Sequence, residues 1–209
     1  MSLTACDLSF SYGSKPVFSH VSLTIDHGER VALSAPSGAG KTTLCRVLAG
    51  YLPAATGSIK IDGAPFDPRD RGPRSVQLLW QHPEQAFDPR LRMRRSLAEA
   101  GEADAPRMRM LRRRFGIRDE WLERLPHELS GGELMRLSMV RALMARPRYL
   151  IADEATAMLD VITQAELWGQ MLELMHEEGF GMLVVSHSPA LVKRICTRIV
   201  EFEALSTAV

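Results

Sequence analysis

The chain has 209 residues, enough for one sizeable core with room for an inserted subdomain. With 45% hydrophobic and 24% charged residues it is a folded globular chain rather than a disordered one, and a formal net charge of +1 gives no overall case for nucleic acid or an anionic membrane as the main partner. No stretch approaches the roughly 18–20 consecutive apolar residues that span a bilayer, the opening MSLTACDLSF lacks the basic and apolar regions of a secretory signal, and three scattered cysteines (Cys6, Cys45, Cys196) fit neither a disulfide framework nor a metal site, so a reducing cytosol is the expected setting.

Residues 3–35 are expected to form short strands: LTACDLSFSY and VSLTID alternate in part, and HGE turns into the buried run RVALSA. A helix is expected from Lys41 to about Ala49, stopped by Gly50. GSIKIDGAPF returns to strand with Asp62-Gly63 as its turn, and SVQLLWQ predicts a buried strand ending at Gln81. Between His82 and Pro147 the composition shifts to Arg, Met, Leu, Ala and Glu with little β-branching, which predicts helices. RYLIADE restores a buried strand, TQAELWGQMLELMHEEG a helix, GMLVVS a strand, PALVKRICT a helix and RIVEF a last strand. The pattern is α/β with a mainly parallel sheet interrupted by a helical insert, without internal repeats or low-complexity linkers.

The first chemical element is the loop Ala35-Pro36-Ser37-Gly38-Ala39-Gly40-Lys41-Thr42 between strand and helix. Successive backbone N–H groups can wrap phosphate oxygens there, with the positive end of the following helix behind them. Gly38 and Gly40 allow close approach, Lys41 supplies a point charge for the β- and γ-phosphates, and the Thr42 hydroxyl can ligand Mg²⁺. Ala35 stands where the written motif asks for glycine, and a methyl is acceptable there if its φ is negative. The second element is YLIADE, an apolar strand ending in Asp153 and Glu154, at the strand end where open α/β sheets bind ligands. Alternation points the two carboxylates to different sides, so one can hold Mg²⁺ through water while the other polarises an attacking water. The third is LSGGELMRL, where Ser130 and the N–H groups of Gly131 and Gly132 precede a helix expected to start at Glu133, a second anion-binding helix start. Two phosphate sites on different surfaces suggest that the second serves a partner's nucleotide.

With these three elements the chain resembles the nucleotide-binding subunit of an ATP-binding cassette (ABC) transporter, over nearly its whole length and with motifs in the family's order: Tyr12, 35–42, Gln81, LSGGE at 129–133, Asp153-Glu154, MLD at 158–160 and His187. The resemblance implies a P-loop cassette fold with a small antiparallel β subdomain and an inserted helical subdomain: one cassette over 1–209, an ATP-binding core of 1–81 and 148–209, and a signature subdomain of 82–147. It implies ATP and Mg²⁺ as ligands. Tyr12 would stack on adenine, and Thr43 would join Ser37, Gly38, Ala39, Gly40, Lys41 and Thr42 around the phosphates. Thr42, Gln81 and Asp153 would face Mg²⁺. Gln81 would also sense the attacking water and join the insert to the core. Glu154 would be the catalytic base and His187 would contact the γ-phosphate beside Lys41. Ser130, Gly131 and Gly132 would face the partner's nucleotide, and Asp160 would lie in the dimer-contacting D-loop beside the nucleotide. Singly, Tyr12 is also readable as a strand aromatic, Gln81 as a strand-end hydrogen bonder and His187 as a helix cap.

The implied partners are transmembrane permease subunits, a second ABC ATPase subunit (the same or a different chain) and, indirectly, a substrate-binding protein, with no nucleic acid. The implied place is the cytoplasmic face of the inner membrane. WQHPEQAFDPRLRM and IADEATAMLDVITQAELW resemble the peptide/nickel import branch, and WLERLPHELSGGE is importer-like. The chain departs from the family at Ser188, where aspartate is usual, and at Met158. It carries no C-terminal extension after RIVEF, so no regulatory tail is expected. The arginine-rich stretches 89–95 and 106–118 are expected to be a solvated face of the insert, or a contact with the anionic leaflet or permease. Met93, Met108, Met110, Met135, Met139 and Met144 are expected mainly as core filler. The alternative is a soluble ABC ATPase acting on nucleic acid or ribosomes. It is disfavoured by the single cassette and the short stretch between Gln81 and Ser130. A non-hydrolysing regulatory subunit is disfavoured by Lys41, Glu154 and His187.

Overall fold

The computed structural model describes residues 1–67, 74–102 and 105–205. The chain opens with two long strands, β1 (Ser2–Tyr12) and β2 (Lys15–Asp26), in place of the short ones expected. They run on because their alternating residues feed one apolar cluster. β1 pairs antiparallel with β2 and with β4 (Thr56–Ile61), and β5 (Ala64–Pro65) adds to β4 across the turn at Asp62 and Gly63. The second sheet has the order β6 (Val76–Leu79), β7 (Tyr149–Asp153), β8 (Gly181–Val185), β3 (Arg30–Ser34), β9 (Arg198–Glu201), each pair parallel. Strand β6 stops at Leu79, two residues short of the expected Gln81, which lies in a bend.

Every residue of β7 and β8 is buried, as in a parallel sheet covered on both faces. Alternation sorts them. Leu150, Ala152, Met182 and Val184 face a cluster with α2 (Met93–Ala98), α3 (Pro106–Arg114), α4 (Asp119–Leu122), α5 (Gly131–Met144) and α6 (Val161–Glu178). Tyr149, Ile151, Leu183 and Val185 face the antiparallel sheet and α1 (Lys41–Leu48). The helical insert therefore covers one face of the sheet and the β layer the other. α7 (Pro189–Ile195) and α8 (Phe202–Leu205) complete the described elements. Residues 68–73, 103–104 and 206–209 of the expected core and insert lie outside the described residues.

Met93, Met108, Met135 and Met139 are buried in the first cluster and Met144 packs against it, whereas Met110 is exposed. The arginines are less free than a solvated face implies. Arg107 and Arg114 of α3 bond to Glu178 and Glu177 of α6, Arg136 of α5 bonds to Glu166 of α6, and Arg112 pairs with Asp119. The guanidiniums of Arg107, Arg114 and Arg136 thus meet carboxylates of the helix that follows β7, while Arg112 pairs within the insert.

Gly181 opens β8 where no side chain fits: a Cβ there would stand 2.5 Å from the Asp26 carbonyl oxygen and 2.9 Å from Tyr149 Cδ1. Gly181→Ala is expected to destabilise the fold by about 2 kcal/mol, read by circular dichroism as a fall in Tm of roughly 4–8 °C.

Candidate functional site

Strand β3 delivers the chain to the loop 35–40, and α1 begins at Lys41. The loop needs its glycines: φ is +82° at Gly38 and +99° at Gly40, and a Cβ on Gly40 would meet Val17 Cγ1 at 2.8 Å. Ala35 is absent from the non-glycine residues with positive φ, so its methyl is accommodated in place of the motif's glycine. Lys41 is buried, and its ammonium donates to the carbonyls of Ala35 and Pro36, each at 2.8 Å. The charge is thereby folded over the start of the loop. Ser37 is exposed, while Ala39, Thr42 and Thr43 are half-buried. Val17 and Phe18 of β2 flank Gly40, so the β1–β2 hairpin sits on the loop. The same hairpin carries the exposed Tyr12, whose ring lies edge-on to Phe10 at 4.9 Å.

Asp153 ends β7 in a buried position and accepts a hydrogen bond from the Thr42 side chain. Its Oδ1 is buried with no protein partner. Burial raises the Asp153 pKa above the usual carboxylate value, and the nearby Glu154 charge adds to this, against the Thr42 hydrogen bond, Arg46 and Lys41. A buried carboxylate oxygen left without a donor, beside a hydroxyl at the head of a phosphate-type loop, suits a hydrated Mg²⁺. Among the described residues no group of three or more His, Cys, Asp or Glu gathers into a metal site, so such an ion would share its ligands with phosphate and water.

Glu154 leaves the strand with φ of +50°. Its N–H donates to the Val185 carbonyl at 3.0 Å, holding the turned residue against β8. The half-buried carboxylate is a meeting point: Gln81 Nε2 donates to Oε2 at 3.1 Å, and His187 Nε2 lies 2.9 Å from Oε1. Three residues 33 or more positions apart in the chain thus converge at the carboxyl ends of β6, β7 and β8. His187 does not cap α7. Ser188 does, its Oγ accepting from the Leu191 N–H, so the serine at the family's aspartate position keeps a local role.

Ser130 is the N-cap of α5, which starts at Gly131, two residues before the expected Glu133. Ser130 Oγ accepts from the Glu133 N–H and Glu133 returns a carboxylate to the Ser130 N–H at 2.8 Å, a reciprocal capping box. A Cβ on Gly132 would touch Leu159 and Thr163. This second loop therefore joins residues 158–163 rather than the Glu154 cluster. Asp160 caps α6, accepting from the N–H groups of Ile162 and Thr163 and from the Thr163 hydroxyl, and these bonds lower its pKa. Around it Met158, Val161 and Ile162 are 70%, 80% and 82% exposed. The sequence reading missed one group: buried Thr156, bonded by Gln164 and Trp168 of α6. The only sequence signal was the spacing of Gln164 and Trp168 by one helical turn.

Residues 18–157 match the family model described as ABC transporter. The chain belongs to the ABC transporter family. This cassette is 34% identical over 202 residues to a nickel import ATP-binding protein of Rhodospirillum rubrum, covering 90% of the chain and 72% of that protein. It is 34% identical to a glutathione import ATP-binding protein of Salmonella typhimurium and 35% identical to a Brucella abortus ATP-binding protein named for peptide import, over 193 residues in each case and 86% of the chain. It spans only 31% and 58% of the lengths of those two relatives. The cassette superposes on a structure solved as an ATP binding subunit of an ABC transporter with a TM-score of 0.83 at 28% identity, covering 97% of this chain and 86% of that one. It shares its fold with a dimeric bacterial ABC transporter cassette (TM-score 0.82, 22% identity, 96% and 94% covered). Among the described residues no helix is long and apolar enough to cross a membrane.

The capping box predicts a measurable cost. Ser130→Ala removes one of its two bonds and is expected to destabilise the cassette by about 1 kcal/mol, seen in thermal unfolding as a drop of roughly 2–4 °C.

Proposed function

We propose that this cassette hydrolyses ATP as the energy-coupling subunit of a membrane importer of the peptide or nickel type. One observation carries the reading: Gln81 and His187 meet on Glu154 at the strand ends, next to a buried Asp153 bonded to Thr42 of the phosphate loop. In this reading the loop N–H groups of Ser37, Gly38, Ala39 and Gly40, with Thr43, hold the phosphates. Lys41 exchanges its loop carbonyls for the β- and γ-phosphates, and Tyr12 stacks on the adenine. Thr42, Gln81 and Asp153 would hold Mg²⁺, which would supply charge neutralisation at the phosphate oxygens. Glu154 orients a water and takes its proton as that water attacks the γ-phosphorus in line, breaking the bond to the β,γ-bridging oxygen so that ADP leaves and inorganic phosphate forms. Gln81 aims the carboxylate, and His187 stands by the γ-phosphate.

Gly131 and Gly132 offer their N–H groups beside Ser130 at the start of α5, and Asp160 lies nearby among exposed apolar residues. That surface suits a second cassette arranged head to tail, whose nucleotide these residues would complete. That a cassette of the same fold was solved as a dimer supports pairing with a second cassette. Residues 82–147 act as the signature subdomain and residues 1–81 and 148–209 as the ATP-binding core, with permease subunits as load and a substrate-binding protein reached only through them. The import names of the relatives support this load.

Two experiments test the reading. Glu154→Gln is expected to bind ATP as the wild type does while hydrolysis falls by at least about a hundredfold, and near-normal turnover removes Glu154 as the base. Affinity purification of the tagged chain from detergent-solubilised host membranes, with ATPase activity measured on the eluate, is expected to recover permease chains and a second cassette. Recovery of ribosomes or nucleic-acid proteins instead removes the transport assignment.

A further inference from the structure

Between Glu154 and Asp160 the chain runs Ala-Thr-Ala-Met-Leu, and Thr156 is the one polar side chain among them. It is only 2% exposed. Its Oγ1 accepts from Gln164 Nε2 and from Trp168 Nε1, both at 2.9 Å, and Gln164 Nε2 also reaches the Thr156 carbonyl oxygen at 3.1 Å. Gln164 and Trp168 stand four residues apart on α6, one above the other on the same face, so both donors converge on one hydroxyl. Shape alone does not ask for this. Phe or Leu fills an apolar site as well as Trp, and the indole of Trp121 is buried in the same cluster with no partner for its N–H. The Trp168 N–H is aimed.

What it is aimed at matters for Glu154. The Ala157 N–H donates to the Glu154 carbonyl at 3.0 Å, so Thr156 lies inside the turn that begins at Glu154. A non-glycine residue at φ of +50° is held there only where its surroundings over-determine it. The Val185 carbonyl holds Glu154 from the strand side. From the other side the turn is held through Thr156.

We propose that Trp168 and Gln164 are positioning residues for Glu154: by gripping Thr156 they fix the 154–157 turn and so direct the carboxylate at Gln81 and His187. The proposal rests on the reading of Glu154 as the base. Neither side chain touches nucleotide; both act through the turn.

The test uses the purified full chain with Trp168→Phe and, separately, Gln164→Leu. In both, kcat for ATP is expected to fall roughly tenfold while KM stays within about twofold. A second readout does not depend on turnover. The His187 imidazole resonance, assigned by its loss in His187→Gln, is expected to move in both variants, because His187 Nε2 stands 2.9 Å from Glu154 Oε1. An unmoved His187 resonance with kcat at the wild-type value, whatever happens to Tm, overturns the proposal and leaves Trp168 and Gln164 as packing. If the wild type shows no turnover even in the complex recovered with its second cassette, the ATPase reading fails and the His187 resonance alone decides the positioning. Should Trp168→Phe not fold, Gln164→Leu carries the test, since Gln164 is only half-buried.

Discussion

A fully buried strand must present two adjacent carboxylates at its carboxyl end while its other residues stay in the core. In β7 the solution is a change of backbone conformation between the two residues. Asp153 stays in the strand, buried and bonded by Thr42, while Glu154 turns to φ of +50° and hangs from the Val185 carbonyl. Had the strand simply continued, alternation would send Glu154 toward one of the two apolar clusters that cover the sheet. Desolvation would then cost several kcal/mol. The turn places the carboxylate at the sheet's edge, where Gln81 from the end of β6 and His187 from the end of β8 can reach it. The order of strands thus decides which residues meet: β6, β7 and β8 are neighbours, and a residue one or two positions past the end of each contributes one member of the cluster.

The phosphate loop depends on the same sheet from the other flank. β3 lies beside β8, so the loop it feeds opens next to the Glu154 cluster. α1, whose Thr42 reaches Asp153, contacts β7 through the second cluster. Lys41 has its ammonium on two loop carbonyls, a position that keeps a buried charge hydrogen-bonded. An incoming phosphate competes directly for that ammonium. The glycines at 38 and 40 take the left-handed conformation that this phosphate-type loop requires.

Much of this was readable before any fold was known. The loop 35–42, the pair 153–154 and the serine–glycine helix start 130–132 are contiguous, and each residue type has few other uses at that spacing. The Asp62-Gly63 turn and the helix from Lys41 followed from local chemistry alone. Other features depend on neighbours distant in sequence. The lengths of β1 and β2 come from the apolar cluster they share with α1, so alternation broken at Asp7 and His20 underrated them. Both residues have positive φ where the β1–β2 register shifts, and they pair with each other at 2.8 Å. The arginines of α3 read as solvated because their partners, Glu177 and Glu178, lie more than sixty residues away. Trp168 sits in the core with the apolar residues of α6. Only the direction of its N–H distinguishes it.

These separate threads share α6. Asp160 caps its start, Thr156 is gripped by its inner face, and Thr163 faces Gly132 of the second phosphate-type loop. Glu166, Glu177 and Glu178 receive arginines from the insert along its length. Exposed ion pairs of this kind contribute about 0–1 kcal/mol each, so they do not hold the insert on the sheet. Leu167, Trp168, Met171, Leu174 and Met175 do, buried in the cluster that also takes Met108, Leu111 and Met135 from the insert. What the arginines add is register, since a bidentate fork meets a carboxylate in one orientation. The turn bearing Glu154, the loop bearing Ser130 and the helical insert are thus all placed by contacts with one helix.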